Sequence, residues 1–393
     1  MSTSVTQGTD IFNLGKDGFD YKVADETLTI LRNIAVASDK DGVRSDFENS
    51  LLINRGNVIS TSTFSTYFGV LFTAGTKNSE IVNQVGGLII GYFGAVMEGG
   101  GSQIFDNFGK VVGTTNVSPG VYFDLLGLSP GQALLNNHGS IISGRTGVGL
   151  LSNNAVGIFH NYALVSGDTF GIWIDTPNSL TTAVTNAATG TIKSGLHAIF
   201  MITGGLSFTN AGKVVGDIDS ADVRDVVHNH GIIRGTTHLY GGSDLFNGTG
   251  GKSGPVYGGD GNDRLIGGSH NDKLHGGNGN DKLTGGPSAD QFVFDNALNA
   301  ATNVDTITDF KPAEHDEIVL SETDFAGLGA LGTLATPHFH IGHAVNANPA
   351  VIYRPGTGFL FYDANGNLPG GLTHFATLAT HPTIHNTDFI VVG

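Results

Sequence analysis

The chain has 393 residues, 60 of them glycine and none cysteine, so it is long enough for two or three domains and excludes disulfides and thiolate metal sites. Its net charge of −16 is local: residues 51–216 balance six acids with six bases, whereas residues 217–393 hold 20 Asp or Glu against 8 Lys or Arg. That acidity argues against a nucleic-acid partner and for a bound cation, and the longest apolar run, Val85 to Met97, is too short to form a transmembrane segment.

The first residues, MSTSVTQGTDIFNLGKDG, lack a basic segment followed by an apolar one, so an exported chain would carry its address elsewhere. Residues 1–50 are more charged than residues 51–216 and are expected to cap the open end of a solenoid.

A repeat then runs through the first half. It aligns on Asn54, Asn107, Asn137, Asn161, Asn210 and Asn229, with Asn83 and Asn186 admitted by short insertions. Two places before each stands an apolar residue: Leu52, Ile81, Phe105, Leu135, Phe159, Val184, Phe208 and Val227. In the ungapped copies the fourth residue after Asn is again apolar and the sixth is Ser or Gly. Alternation with a period of two marks strands with one buried face, and no helical period competes. With anchors 19 to 30 residues apart, the expected fold is all-β: a right-handed parallel β-helix over residues 51–240, with the Asn amides bonding from coil to coil. A β-sandwich or propeller is the competing arrangement.

From Gly258 the pattern becomes GGDGNDRLI, GGSHNDKLH, GGNGNDKLT and GGPSADQFV. Position six is always Asp (Asp263, Asp272, Asp281, Asp290), and position eight is large and apolar (Leu265, Leu274, Leu283, Phe292). Glycine permits unusual dihedrals, and a hard cation takes six to eight oxygens from carbonyls and carboxylates. These nonapeptides resemble the RTX repeat G-G-x-G-x-D-x-U-x. The resemblance implies a Ca²⁺-binding parallel β-roll over residues 241–295, two nonapeptides per coil, with Asp263 sharing a site with Asp281 and Asp272 with Asp290. The metal-binding set it implies is Gly258, Asp260, Asp263, Gly267, Ser269, Asp272, Gly276, Asn278, Asp281 and Asp290, joined by Asp309 and Asp316 beyond the repeats. His270 and Ser288 replace the family's fourth-position Gly, so weaker or less regular calcium binding, though not its loss, is expected there. YGGSDLFNG around Asp244 looks like a degenerate repeat.

Residues 305–322, DTITDFKPAEHDEIVLSE, resemble the segment after the repeats in RTX proteins and serralysin-type proteases, where Asp305, Asp309 and Asp316 match aspartates beside the last calcium sites. GTGFLFYDANGN (356–367) and the closing DFIVVG resemble a module of type I secreted proteins, which implies that residues 296–393 form a β-rich module with an uncleaved C-terminal export signal. Asp363, Asn365 and Asn367 alternate like a calcium loop but without its bidentate Glu, and a hairpin turn is the simpler reading.

Other constellations lead nowhere catalytic. His338, His340 and His343 have spacing that suits zinc, but they fall where the resemblance implies no metal. His228, His230 and His238 read as turn residues. GLSPG (127–131) has the form of a nucleophile elbow, but Asn137 comes too soon for the helix an elbow needs. HExxH and Asp-Pro are both missing from the sequence, which excludes a serralysin-type protease, a self-cleaving RTX module and the mannuronan epimerase signature. The expectation is a secreted, extracellular, calcium-folded protein of the surface, a matrix or adhesion. It would meet the type I secretion machinery during export and an extracellular polysaccharide or cell surface afterwards. A polysaccharide-active β-helix enzyme with an RTX tail is the alternative.

Overall fold

A computed structural model describes residues 3–7, 11–13, 16–61, 67–73, 77–116, 118–126 and 130–393. The chain divides into two compact units, Met1–Ala221 and Asp222–Gly393. No helix among the described residues is long and apolar enough to cross a membrane.

The first unit is a parallel β-helix with three strands to a coil. One ladder joins Thr3–Gln7, Glu26–Ile30, Leu51–Asn54, Glu80–Asn83 and Ser102–Asn107, then continues through Gly131–Asn137, Ala155–Asn161, Thr181–Asn186 and Gly205–Asn210. Every pairing is parallel and in register, so Leu28, Leu52, Ile81, Phe105, Leu135, Phe159, Val184 and Phe208 stack as one buried file. Val36, Val58, Ile89, Val111, Ile141, Val165, Ile192 and Val214 form the file of the second sheet. Each buried side chain of this size contributes roughly 1.5–3 kcal/mol, which is how a narrow solenoid gains a core.

The asparagines close the corner after the first strand. Six hydrogen bonds of 2.8–2.9 Å run from Asn54 through Asn83, Asn107, Asn137, Asn161 and Asn186 to Asn210, each Nδ2 donating to the next Oδ1. The second Nδ2 hydrogen reaches a carbonyl of the following coil, as from Asn137 to Leu164 at 3.0 Å. Fully buried amides are tolerated because every one is satisfied.

Among the described residues, strands of residues 1–50 lie in the ladders of the β-helix. Gln7 stacks on Ile30 and Ile30 on Asn54, so this segment pairs in the same ladders as the later coils. The compact units also part at Ala221/Asp222, short of the expected end of the β-helix at residue 240.

The second unit begins as a two-stranded roll. In one sheet Val226–Asn229, Leu245–Asn247, Arg264–Ile266, Lys282–Thr284 and Asp305–Ile307 pair in parallel. In the other, Thr237–His238, Val256–Gly261, Lys273–Asn278, Gln291–Phe294 and Glu317–Ser321 do the same. Leu265 stacks on Leu283 and Leu274 on Phe292, which is the 18-residue coil the nonapeptides imply. The C-terminal segment adds the last strand to both sheets: Leu372–Leu378 beside Asp305–Ile307, and Phe389–Val392 beside Glu317–Ser321. Ala350–Arg354, Phe359–Asp363 and Leu372–Leu378 are an antiparallel meander, so residues 363–372 connect antiparallel strands, as a hairpin turn requires.

Candidate metal centre

Each nonapeptide turns on glycine and closes on Asp. Gly259 and Gly261 take φ of 105° and 140°, and Gly277 and Gly279 repeat them at 106° and 137°, a region that side chains disfavour. The fourth turn uses Gly286 at 103° and Ser288 at 96°. The second turn, with His270 in place of glycine, has no residue of positive φ. Substituting the fourth glycine therefore changes the turn most at His270.

The aspartates stack into two files. In the first, the main-chain N–H of Asp225 donates to Asp244 Oδ1 (2.7 Å), Asp244 to Asp263 (2.8 Å), Asp263 to Asp281 (2.8 Å) and Asp281 to Asp305 (3.0 Å). In the second, Asp272 donates to Asp290 (2.9 Å) and Asp290 to Asp316 (3.1 Å). One carboxylate oxygen thus holds the coil before it. The other, Oδ2, is buried without a hydrogen-bond partner in Asp244, Asp263, Asp272, Asp281 and Asp290. Buried acceptors in native folds are nearly always satisfied, so five orphans in two files are a marked exception.

Each orphan of the nonapeptides points at the first glycine of its own repeat. A Cβ on Gly258 would overlap Asp263 Oδ2 and stand 2.5 Å from the Gly276 carbonyl oxygen. At Gly267 it would meet Asp272 Oδ2 at 2.7 Å and the Gly285 oxygen at 2.5 Å. At Gly276 it would overlap Asp281 Oδ2 and lie 3.0 Å from Asp305 Oδ2. The space a side chain would fill is lined by oxygens of carboxylates and carbonyls, the donor set of a hard cation.

Burial pushes these carboxyls upward from their ordinary 3.8: Asp263 and Asp272 to about 6, Asp244 and Asp290 to about 7. For Asp281 burial again leads, and the adjoining Asp305 charge raises it further. An electropositive occupant would relieve both desolvation and repulsion.

The expected residues divide by position. Asp263, Asp272, Asp281 and Asp290 stand in the files, with Gly258, Gly267 and Gly276 facing them. Asp260, Ser269 and Asn278 are exposed on the rim, where Asn278 Nδ2 donates to Asp260 Oδ1 at 2.8 Å, leaving their carbonyls as the groups they have to offer. Asp316 ends the second file with both oxygens occupied, by the N–H of Asp290 and of Lys311. Asp309 likewise accepts from Gly285 and Gly286, at 3.0 and 2.9 Å. Asp225 is a file member that the repeat pattern does not mark, because no Gly-Gly precedes it; the Asp-x-apolar spacing to Val227 is its only signal.

Elsewhere, His338 Nδ1 is bonded to the Pro349 carbonyl at 2.7 Å, and His230 to that of Thr249 at 2.8 Å. Among the described residues no three His, Asp or Glu side chains gather as a metal cluster, since each turn contributes a single carboxylate in file. In the GLSPG motif, residues 127–129 lie outside the described residues.

No curated protein matches the chain. The family model of the RTX calcium-binding nonapeptide repeat matches residues 257–292 in four copies, the span that carries the two files and their glycine turns. Residues 257–292 are therefore RTX calcium-binding nonapeptide repeats, wound as a parallel β-roll.

Proposed function

We propose that the second unit is a calcium-dependent folding module of a secreted protein, and that the β-helix unit serves as a non-enzymatic component of a surface, a matrix or an adhesive contact. The observation that carries this is the pair of buried files in which the Oδ2 atoms of Asp244, Asp263, Asp272, Asp281 and Asp290 have no hydrogen-bond partner. Asp263, Asp272, Asp281 and Asp290 would supply charge, and the carbonyls of Gly258, Asp260, Gly267, Ser269, Gly276 and Asn278 would complete the shells. Bound Ca²⁺ supplies electrostatic neutralisation and cross-links successive turns.

Export rests on the same chemistry. Extracellular-type sites bind at roughly 10⁻⁴–10⁻³ M, far above cytosolic calcium, so the roll stays loose inside the cell. A loose tail can thread a type I channel, for which residues 296–393 would hold the uncleaved signal. Outside, binding free energy becomes folding free energy.

Equilibrium dialysis of the whole chain against Ca²⁺ tests the reading. Several bound ions, saturating near millimolar concentration, are expected. A chain that binds none at 10 mM overturns it, and release of uronides from alginate or pectate would overturn the non-enzymatic part.

A further inference from the structure

The third strand of each coil forms a third sheet, through Phe93–Glu98, Pro119–Leu125, Thr146–Ser152 and Phe170–Asp175, which carries a feature that calcium does not explain. Tyr122, Gly149 and Trp173 occupy successive rungs in register. Rungs rise by about 4.8 Å, so the backbones of Tyr122 and Trp173 stand about 9.6 Å apart, and Gly149 between them leaves room that the Tyr122 ring enters. Tyr122 leans into the vacancy, and a Cβ on Gly149 would come within 2.7 Å of its ring. Phe93 and Phe170 flank the gap, and the exposed Arg145 stands at its mouth, leaving an open hollow of about 230 Å³. That is below the roughly 300–1,000 Å³ of clefts that enclose a whole small molecule. It suits one ring of a longer chain.

A second row runs alongside, two residues along each strand. Glu98 pairs with Asp124, Asp124 with Leu151 and Leu151 with Asp175, so three carboxylates border the aromatic row. Burial, and after it the charges of Asp124, Asp175 and Glu98, push the Tyr122 hydroxyl upward. Aromatic faces stack on the C–H faces of pyranose rings, while carboxylates and a guanidinium bond hydroxyls. The rung rise is also close to the length of one pyranose residue. Three negative charges against one positive disfavour a uronate polymer or an anionic membrane.

We propose that this hollow binds a neutral polysaccharide, one sugar ring seated against the Tyr122, Phe170 and Trp173 side chains and its neighbours running along the coil axis beside the carboxylates. The groove lies wholly within the first unit, so the proposal goes beyond the calcium reading, and either can fail without the other.

Trp173 is the chain's single tryptophan, so its emission reports the site directly. The whole chain in millimolar Ca²⁺ is titrated with cellohexaose, laminarihexaose, maltohexaose, an alginate hexamer and anionic phospholipid vesicles. A saturable emission change with at least one neutral hexasaccharide, and none with the alginate hexamer or vesicles, is expected. Tyr122→Ala and Phe170→Ala should each weaken binding about tenfold or more, as truncation of an aromatic anchor does. Gly149→Ser, whose side chain would displace the Tyr122 ring, serves as a second, milder perturbation of the site, and unchanged far-UV circular dichroism marks variants that keep the fold. No response to any neutral hexasaccharide, a response only to alginate or vesicles, or equal affinity in folded variants would overturn the proposal.

Discussion

Replacing Asp281 by Asn separates the two roles of a file carboxylate. Asp281 Oδ1 accepts the Asp263 N–H, and an Asn oxygen keeps that bond. Its Oδ2 is buried, unpartnered and crowded by the Asp305 carboxylate, and the substitution replaces it with an uncharged donor. For the neighbouring Asp263, burial raises the carboxyl from 3.8 to about 6. A rise of about two units corresponds to about 3 kcal/mol between protonation states. Asp281 is raised further, so without calcium at pH 8 Asp281→Asn should stabilise the roll by on the order of 3 kcal/mol. In calcium it removes a ligand. With Kd of roughly 10⁻⁴–10⁻³ M, 10 mM Ca²⁺ stabilises by about 1.4–2.7 kcal/mol per site, and that increment should vanish for each site lost. Amide hydrogen exchange over residues 256–284 reads both quantities in the whole chain. Exchange in chelator should slow by about two orders of magnitude, and the further slowing caused by calcium should shrink. A variant that exchanges faster than wild type in chelator, or that keeps the full calcium increment, would refute the reasoning.

The same structure fixes three further outcomes. The calcium-free roll should lose stability as pH rises from about 4 to 8: its carboxyls are raised by burial, so the folded state holds more protons than the unfolded one across that window, and thermal melts in chelator at pH 5 and pH 8 should rank in that order. Asn137→Ala deletes the donor to Asn161 and to Leu164 and the acceptor for Asn107, which should cost about 2–4 kcal/mol, read from Trp173 emission during urea unfolding. Gly279→Ala places a Cβ at φ 137° against the Gly261 carbonyl, so it should destabilise the third turn by about 2 kcal/mol or more and weaken calcium binding, seen by calorimetry.

What the sequence made legible was whatever repeated with a fixed chemical anchor. The buried asparagines and the apolar residue two places earlier stand out because a satisfied amide ladder tolerates no substitute, and the nine-residue Asp spacing stands out for the same reason. The first coils were hidden because Ile30 and Gln7 occupy the ladder position, leaving nothing to align on. The third sheet was hidden too, since its corners vary in length and carry no common polar residue. Its aromatic slot depends on Gly149 falling between Tyr122 and Trp173, a register that only the strand pairing fixes. Asp225 and Asp244 join the aspartate file although their turns lack the full nonapeptide, because a file requires only a stacked carboxylate.

The most direct trial of calcium-dependent folding is far-UV circular dichroism of the whole chain, first in chelator and then through a calcium titration. The β signal should rise with a midpoint of roughly 10⁻⁴–10⁻³ M and fall again when chelator is restored. Identical spectra at every calcium concentration would contradict it.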